Sequence, residues 1–145
     1  MNLIKDKNSL SLSYRMKPSI ISVDKKKLIE TSKKIKKKIF RICLNSSSKD
    51  KFHQMIVFQT KKYQTEIKKN LYKDKSFILV RGKQIIRIYD KNKNIIKKFY
   101  LDKNNFICWI KKNTFYDNVT MGSQSIHIES LAGPFNRNKD RIYLK

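Results

Sequence analysis

Short runs with the composition of β-strands dominate the second half of the sequence and constrain the fold most strongly. Six runs of five to eight residues are rich in Ile, Val, Phe and Tyr and are separated by Asn, Lys, Asp or Gly. They read MIVFQT, SFILVRG, QIIRIYD, IIKKFYLD, FICWIKK and SIHIESL. Strands at such spacing are typical of an antiparallel sandwich or barrel. Because only one long helix is predicted beside them, folds that alternate strands and helices are disfavoured.

Two positions between these runs carry residues that suit sharp changes of chain direction. The segment DKNKN at residues 90–94 predicts a hairpin connection, because Asn tolerates the left-handed backbone that such turns demand. Gly82 follows the run FILVR and predicts a bend or bulge, where a side chain would obstruct the sheet.

The chain before the strand runs predicts an arm followed by a helix. Residues 1–21 show no sustained periodicity, and we expect an N-terminal arm with at most a short strand. Ser22 or Asp24 can cap a helix from about 24 to 40, because a short side-chain oxygen accepts hydrogen bonds from the free N–H groups of the first turn. The apolar stripe of this amphipathic helix consists of Leu28, Ile35 and Ile39.

Length, cysteine content and hydropathy narrow the class of protein. The 145 residues suit one domain, which we expect over residues 22–145 with its barrel at about 52–135. Cys43 and Cys108 are too few for a disulfide framework and lack zinc or redox spacing, so we interpret both as small buried hydrophobic residues. No apolar run approaches the roughly 20 residues of a transmembrane helix, and the start MNLIKDKNSL lacks the apolar stretch of a signal peptide. We therefore expect a cytoplasmic protein.

The net charge is strongly positive, with 35 Lys and Arg against 11 Asp and Glu, which gives +24. Such a balance is common in nucleic-acid-binding proteins. Two observations weaken this interpretation. The abundant Lys, Ile and Asn are the residues with the codons richest in A and T, and only six of the basic residues are Arg, which makes bidentate contacts with phosphate and guanine. A basic nucleic-acid-binding β-barrel stays open as an alternative.

Six blocks follow one another in an order that occurs in a known family. After the helix come an Arg-x-Cys-Leu segment, a Phe-x-x-x-x-Gly strand end, a charged hairpin, an Ile-x-x-x-Thr-aromatic segment and Glu-x-x-x-Gly-Pro-Phe. Over roughly residues 20–140 the chain resembles the small cupins of the WbuC type, single-domain β-barrel metalloproteins associated with bacterial surface-polysaccharide gene clusters. The resemblance implies an all-β fold, a cupin-like antiparallel β-barrel or jelly roll with one N-terminal amphipathic helix. It also implies a homodimer, for which residues 3–14 are the natural exchanging segment.

The metal ligands of that family do not carry over to this sequence. The family presents a His-x-His pair, a Glu and a final His, and the resemblance places these at Lys68, Asn70, Lys75 and Tyr116. A protonated Lys has no lone pair to donate, and two of them repel a cation at close range. We therefore expect a degenerate metal site, no cofactor and none of the family's metal-dependent catalysis. His53, His127 and Glu129 could form a new metal site, since His127 and Glu129 share one face of a strand.

A barrel that has lost its metal ligands can still hold a small ligand. We predict that Arg41, Gln54, Lys68, Lys75 and Tyr116 line or rim a pocket for an anionic ligand, such as a sugar nucleotide or another phosphorylated sugar. In the opposing interpretation the Lys side chains extend to solvent and Tyr116 fills the space left by the metal site. The predicted function is that of a binding or accessory protein in surface-polysaccharide biosynthesis, lipopolysaccharide included. A sugar isomerase or epimerase is the alternative, although no His stands in a recognisable catalytic motif.

Overall fold

The computed structural model describes residues 3–5, 12–16, 24–34, 37–60 and 62–144. These residues form ten strands and two helices. The strands are β1 (Leu3–Lys5), β2 (Leu12–Met16), β3 (Ile39–Cys43), β4 (Phe52–Thr60), β5 (Lys68–Asn70), β6 (Lys75–Tyr89), β7 (Ile95–Leu101), β8 (Ile107–Ile110), β9 (Phe115–Ala132) and β10 (Arg141–Tyr143), and the helices are α1 (Lys25–Lys34) and α2 (Arg137–Asp140).

Two long strands, β6 and β9, organise the barrel. They pair with each other in antiparallel orientation over most of their length, with register shifts between Leu79 and Lys83. The second half of β9 also pairs with β4, and its first half pairs with β5. Strand β6 pairs in turn with β8 and then with β7. The predicted all-β fold with a curled, mostly antiparallel sheet is therefore confirmed.

The N-terminal strands extend this sheet beyond β3. Strand β1 pairs with β2 in antiparallel orientation, whereas β2 pairs with β3 in parallel orientation. The described parts of the segment 3–14, which we expected to exchange between subunits, thus pair within one chain. The homodimer stays a prediction.

Helix α1 is shorter than the sequence predicted. Its cap is Asp24, whose carboxylate accepts a hydrogen bond of 3.0 Å from the backbone N–H of Lys27. The helix ends at Lys34, and the predicted extent to residue 40 is wrong because Ile39 and Phe40 begin β3. Phe40 stacks on Phe58 of the paired strand with ring centroids 4.1 Å apart, which favours the strand. The predicted positions Ser22 and Ile35 lie outside the described residues.

Apolar side chains pack on both faces of the sheet. One cluster fills part of the barrel interior and contains Phe77, Leu79, Ile86, Leu101, Cys108, Ile110 and Tyr116. The other lies between the outer face of β3, β4 and β9 and the helix, and contains Leu28, Phe40, Ile42, Ile56, Phe58 and Ile126. Helix α1 thus covers one outer face, which is why β4 reads as a nearly continuous apolar run. Cys43 and Cys108 are buried and unbonded to each other, as predicted.

The bend at Gly82 and the hairpin at residues 90–94 are confirmed. Gly82 has a φ of +88°, and a Cβ there would lie 2.3 Å from the carbonyl oxygen of Gln124. In the hairpin, the residue with left-handed backbone is Lys93, with a φ of 67°, and not one of the two Asn residues. Asp90 instead stabilises the turn by accepting hydrogen bonds from the backbone N–H groups of Asn92 and Asn94.

Neither helix in the described part of the chain has the length and apolar content that crossing a membrane requires.

Candidate functional site: a basic cluster at the barrel interior

Four basic side chains from four strands converge at one end of the barrel. We call this set the basic cluster; it consists of Arg41 on β3, Lys68 on β5, Lys75 on β6 and Arg141 on β10. Lys68 is 9% exposed and Lys75 is 3% exposed, which is unusual for lysine. The two arginines are half-buried, so the cluster reaches solvent through them.

Lys75 forms a buried ion pair with Glu129. Its ammonium nitrogen lies 2.5 Å from Oε2 of Glu129, and Oε1 of the same carboxylate lies 3.1 Å from Nε2 of His127. Burial raises the pKa of Glu129, but the charge of Lys75 and the hydrogen bond from His127 outweigh it and hold that pKa well below its ordinary value. Burial lowers the pKa of Lys75 to about 8, so both partners are ionised near neutral pH.

Lys68 occupies the same interior without such a partner. Its ammonium nitrogen lies 3.5 Å from the backbone oxygen of Glu66 and 5.5 Å from the ring centroid of Tyr116, its partner across the strand pair. Among the described residues, no carboxylate lies within ion-pair distance of it. Burial lowers the pKa of Lys68 well below its ordinary value of 10.5, and the charges of Lys75 and Arg141 lower it further.

Tyr116 is the largest fully buried side chain near the basic cluster. It is 1% exposed, and its ring meets that of Phe77 edge to face with centroids 5.9 Å apart. Its buried hydroxyl has no hydrogen-bond partner among the described residues. Burial raises the pKa of Tyr116, so the phenol is protonated at neutral pH and can donate a hydrogen bond to a ligand.

A chain of polar side chains crosses the barrel interior behind the ion pair. The amide nitrogen of Gln84 lies 2.7 Å from Nδ1 of His127, so the other ring nitrogen carries the proton that Glu129 accepts. Burial lowers the pKa of His127, which is therefore neutral. The chain continues through hydrogen bonds of 2.9 to 3.1 Å among Gln59, Gln84, Asn118, Thr120 and Ser125. Both nitrogens of His127 are thus engaged, and neither is available as a catalytic base.

The structure brings together four of the five predicted ligand-binding residues. Arg41, Lys68, Lys75 and Tyr116 meet in the barrel interior, whereas Gln54 does not join them. Gln54 pairs with Ser130 on the opposite face of the sheet from Glu129, and its amide donates a hydrogen bond of 3.1 Å to the Ser130 hydroxyl. The residue that sequence reasoning missed is Arg141, which lies on a three-residue strand after a helix and carried no recognisable signal.

The alternative metal set does not assemble. His127 and Glu129 are neighbours. His53, however, lies four residues along β4 from the position that pairs with His127, and its Nε2 lies 3.1 Å from the backbone oxygen of Asp50. In the described part of the chain, no group of three His, Cys, Asp or Glu residues has the geometry of a metal site. The second oxygen of Glu129 already binds an ammonium group, which repels a cation. The donor set present therefore does not fit the divalent metal that the family resemblance implies.

Similarity to solved structures supports the architecture. The capsular polysaccharide assembling protein CapF from Staphylococcus aureus matches with a TM-score of 0.63 and 17% identity over 72% of this chain. KdgF from Halomonas sp. matches with a TM-score of 0.56 and 13% identity over 70%, and the Cnp3 cupin domain of Schizosaccharomyces pombe with 0.56 and 13% over 67%. This chain has the cupin fold.

The extent of these matches differs among the neighbours. The match covers 31% of the CapF chain, so this cupin corresponds to about a third of that protein, but it covers 83% of KdgF and 66% of the Cnp3 domain. The sequence matches no protein-family model and no curated protein.

Proposed function

We propose that this protein is a metal-free cupin of the WbuC type that binds a small anionic ligand at the basic cluster. The ligand class that we propose is a phosphorylated sugar or a sugar nucleotide. The protein acts as a binding or accessory protein in bacterial surface-polysaccharide biosynthesis, and not through metal-dependent catalysis.

The observation that carries this proposal is the imbalance of charge in the basic cluster. The basic cluster holds four basic groups; among the described residues Lys75 pairs with Glu129, whereas neither Lys68 nor Arg141 has a carboxylate within ion-pair distance. Lys68 in particular is buried without an anion, an arrangement that costs stability unless a ligand supplies the negative charge. Phosphate and carboxylate groups accept short, charge-assisted hydrogen bonds from Lys and Arg, and the half-buried Arg141 offers such donors beside Lys68.

Two further observations support the sugar component of the ligand. The unpaired phenol of Tyr116 and the buried amide of Asn70 lie beside Lys68, the first across the strand pair and the second two residues along β5. Such groups make the directional hydrogen bonds that select hydroxyl-rich ligands. The biological setting rests on the order of the sequence blocks and on the fold shared with CapF, whose description names capsular polysaccharide assembly.

Calorimetric titration tests the proposal. Inorganic phosphate, glucose 1-phosphate and UDP-glucose are titrated into the wild type, Lys68→Gln and Arg141→Gln at physiological salt. We expect saturable binding of at least one of the two sugar phosphates, weakened about tenfold or more in both variants, because each loses a charge-assisted contact.

Lys69→Gln is the matched control for this titration. Lys69 lies next to Lys68 on β5 but on the opposite face, where its ammonium group lies 4.9 Å from the Phe115 ring centroid. This variant removes the same formal charge and should bind as the wild type does. No heat with any of the three compounds, or an equal loss in Lys69→Gln, would show that the basic cluster is not a specific anion site.

A further inference from the structure

The surroundings of the Lys68 amine suit a chemical role beyond charge neutralisation. Its charged and titratable neighbours include Lys75 on β6, Arg141 and the strand-pairing partner Tyr143 on β10, Arg41 on β3, and Glu129 and Tyr116 on β9. Three of these six are basic groups. The one carboxylate, Glu129, lies against Lys75 and His127 and is already shared between them.

These surroundings favour the uncharged form of the amine. A buried ammonium beside other positive charges is destabilised by desolvation and by repulsion, and it relieves both by losing its proton. The neutral amine carries a lone pair and is the nucleophilic form of lysine. The lowered pKa of Lys68 follows from the same causes, in the order burial, Lys75 and Arg141.

We propose that Lys68 is a nucleophile that forms an imine with an aldehyde or ketone bearing an anionic group close to its carbonyl carbon. This inference rests on the proposed function, because it assigns a carbonyl group to the anionic ligand of the basic cluster. The ligand class is thereby narrowed to acidic or phosphorylated carbonyl compounds, including the open-chain form of a sugar phosphate.

The reaction needs no oxidant, reductant or metal. The lone pair of the neutral Lys68 amine attacks the carbonyl carbon, and the π electrons of the C=O bond move to oxygen. A proton passes from nitrogen to this oxygen to give a carbinolamine. The hydroxyl group is then protonated and leaves as one water molecule, while the nitrogen lone pair forms the C=N bond. Release of the second nitrogen proton gives the neutral imine.

Neighbouring groups are placed to assist these steps. The half-buried Arg141 can hold the anionic group. The protonated phenol of Tyr116 has no hydrogen-bond partner among the described residues. It can donate a hydrogen bond to the carbonyl oxygen and then to the hydroxyl group that leaves. Burial and the neighbouring positive charges also favour the uncharged form of the amine, which is the form that attacks.

Reductive trapping tests the proposal. Glyoxylate, a small aldehyde with a carboxylate on the next carbon, is added to the full-length protein with cyanoborohydride, and peptide mass spectrometry maps the alkylated lysines. We expect Lys68 to react first among the 29 lysines near neutral pH, about tenfold or more faster than Lys69, because each unit of lowered pKa raises the neutral fraction tenfold. The preference over Lys69 should grow as the pH falls from 9 towards 7.

The variants separate this inference from the proposed function. In Lys68→Arg, which keeps the positive charge, early labelling should disappear while phosphate binding measured by calorimetry is retained. If Lys68 in the wild type reacts no faster than Lys69 although phosphate binds, the nucleophile is refuted and the anion site stands. If Lys68 reacts first but phosphate neither binds nor slows the labelling, the proposed anion site is refuted and the reactive amine stands. If neither occurs, both are refuted.

Discussion

Replacing Lys68 with methionine should stabilise the protein while it removes the amine that we assign to ligand binding. Lys68 is 9% exposed, has no carboxylate partner among the described residues and has three basic neighbours. Methionine has a similar length, is flexible and carries no charge, so it can occupy the same interior path without desolvating an ammonium group.

The magnitude follows from the contacts that change. Replacing buried ionic groups with apolar residues of similar volume is neutral or stabilising by about 1–4 kcal/mol. The variant loses the interaction of the ammonium group with the Tyr116 ring, 5.5 Å away, worth about 0.5–1 kcal/mol. We therefore expect a gain of about 1–3 kcal/mol in the free energy of unfolding near pH 7, which for a chain of this length raises the Tm by about 3–9 °C.

The sign of the pH dependence is also determined. Because the pKa of Lys68 is lower in the folded protein than the ordinary 10.5, the unfolded chain binds the extra proton between these two values. The destabilisation of the wild type by Lys68 is complete below the pKa of Lys68 in the folded protein and disappears as the pH rises towards 10.5. The advantage of Lys68→Met should therefore be largest near pH 7 and shrink towards pH 10.

Urea unfolding of the wild type, Lys68→Met and Lys69→Met at pH 7 and pH 10 measures both effects. Lys69→Met should lose no more than about 0.5–1 kcal/mol at either pH, because Lys69 lies on the opposite face of β5 and gives up only its contact with the Phe115 ring. A Lys68→Met variant that is less stable than the wild type, or equally stabilised at both pH values, would refute the idea that Lys68 is a buried amine whose charged form lacks a compensating partner.

Two other predictions concern the ion pair and the bend of the long strands. Glu129→Gln leaves the Lys75 ammonium buried without its carboxylate and should cost about 3–5 kcal/mol in urea unfolding, most of which Lys75→Met in the same chain should restore; additive losses would contradict the pairing. Gly82→Ala places a Cβ 2.3 Å from a backbone oxygen at a residue with a positive φ. Gly122 also has a positive φ but has open space around it, so Gly122→Ala should lower the free energy of unfolding by roughly 1–2 kcal/mol, and Gly82→Ala should lower it by well over that amount. Equal thermal shifts in the two glycine variants would show that the close contact at Gly82 does not matter.

Local patterns predicted the strands but not their extent. Alternation and β-branched residues correctly located the second part of β4 and all of β7 and β8, in the runs MIVFQT, IIKKFYLD and FICWIKK. The runs SFILVRG and QIIRIYD, however, belong to the single strand β6, which continues through the bulge at Gly82. The helix was overextended because Ile39 also fits a helical spacing. Its true state depends on pairing with Gln59, a contact between distant positions.

Inward-facing polar residues left a weak signal that could have been used. Gln84 is fully buried and lies on the same face of β6 as Ile86, two residues away. A polar residue at a position where alternation predicts an apolar one therefore indicated a hydrogen-bond chain in the interior. His127 and Glu129 share a strand face for the same reason and meet across 3.1 Å. Period-two geometry within one strand is visible in the sequence, since it depends only on positions close in the chain.

The sequence by itself determined the all-β class, the bend at Gly82 and the region in which the helix begins. Only the tertiary structure decided that Lys68 lies opposite Tyr116, that Lys75 is neutralised by Glu129 and that Arg141 joins them, while Gln54 and His53 do not. The physical reason is that strand identity arises from local alternation and side-chain shape. Charge pairing depends on the register between strands that are distant in the chain, and on how burial shifts the proton equilibria of the groups brought together there.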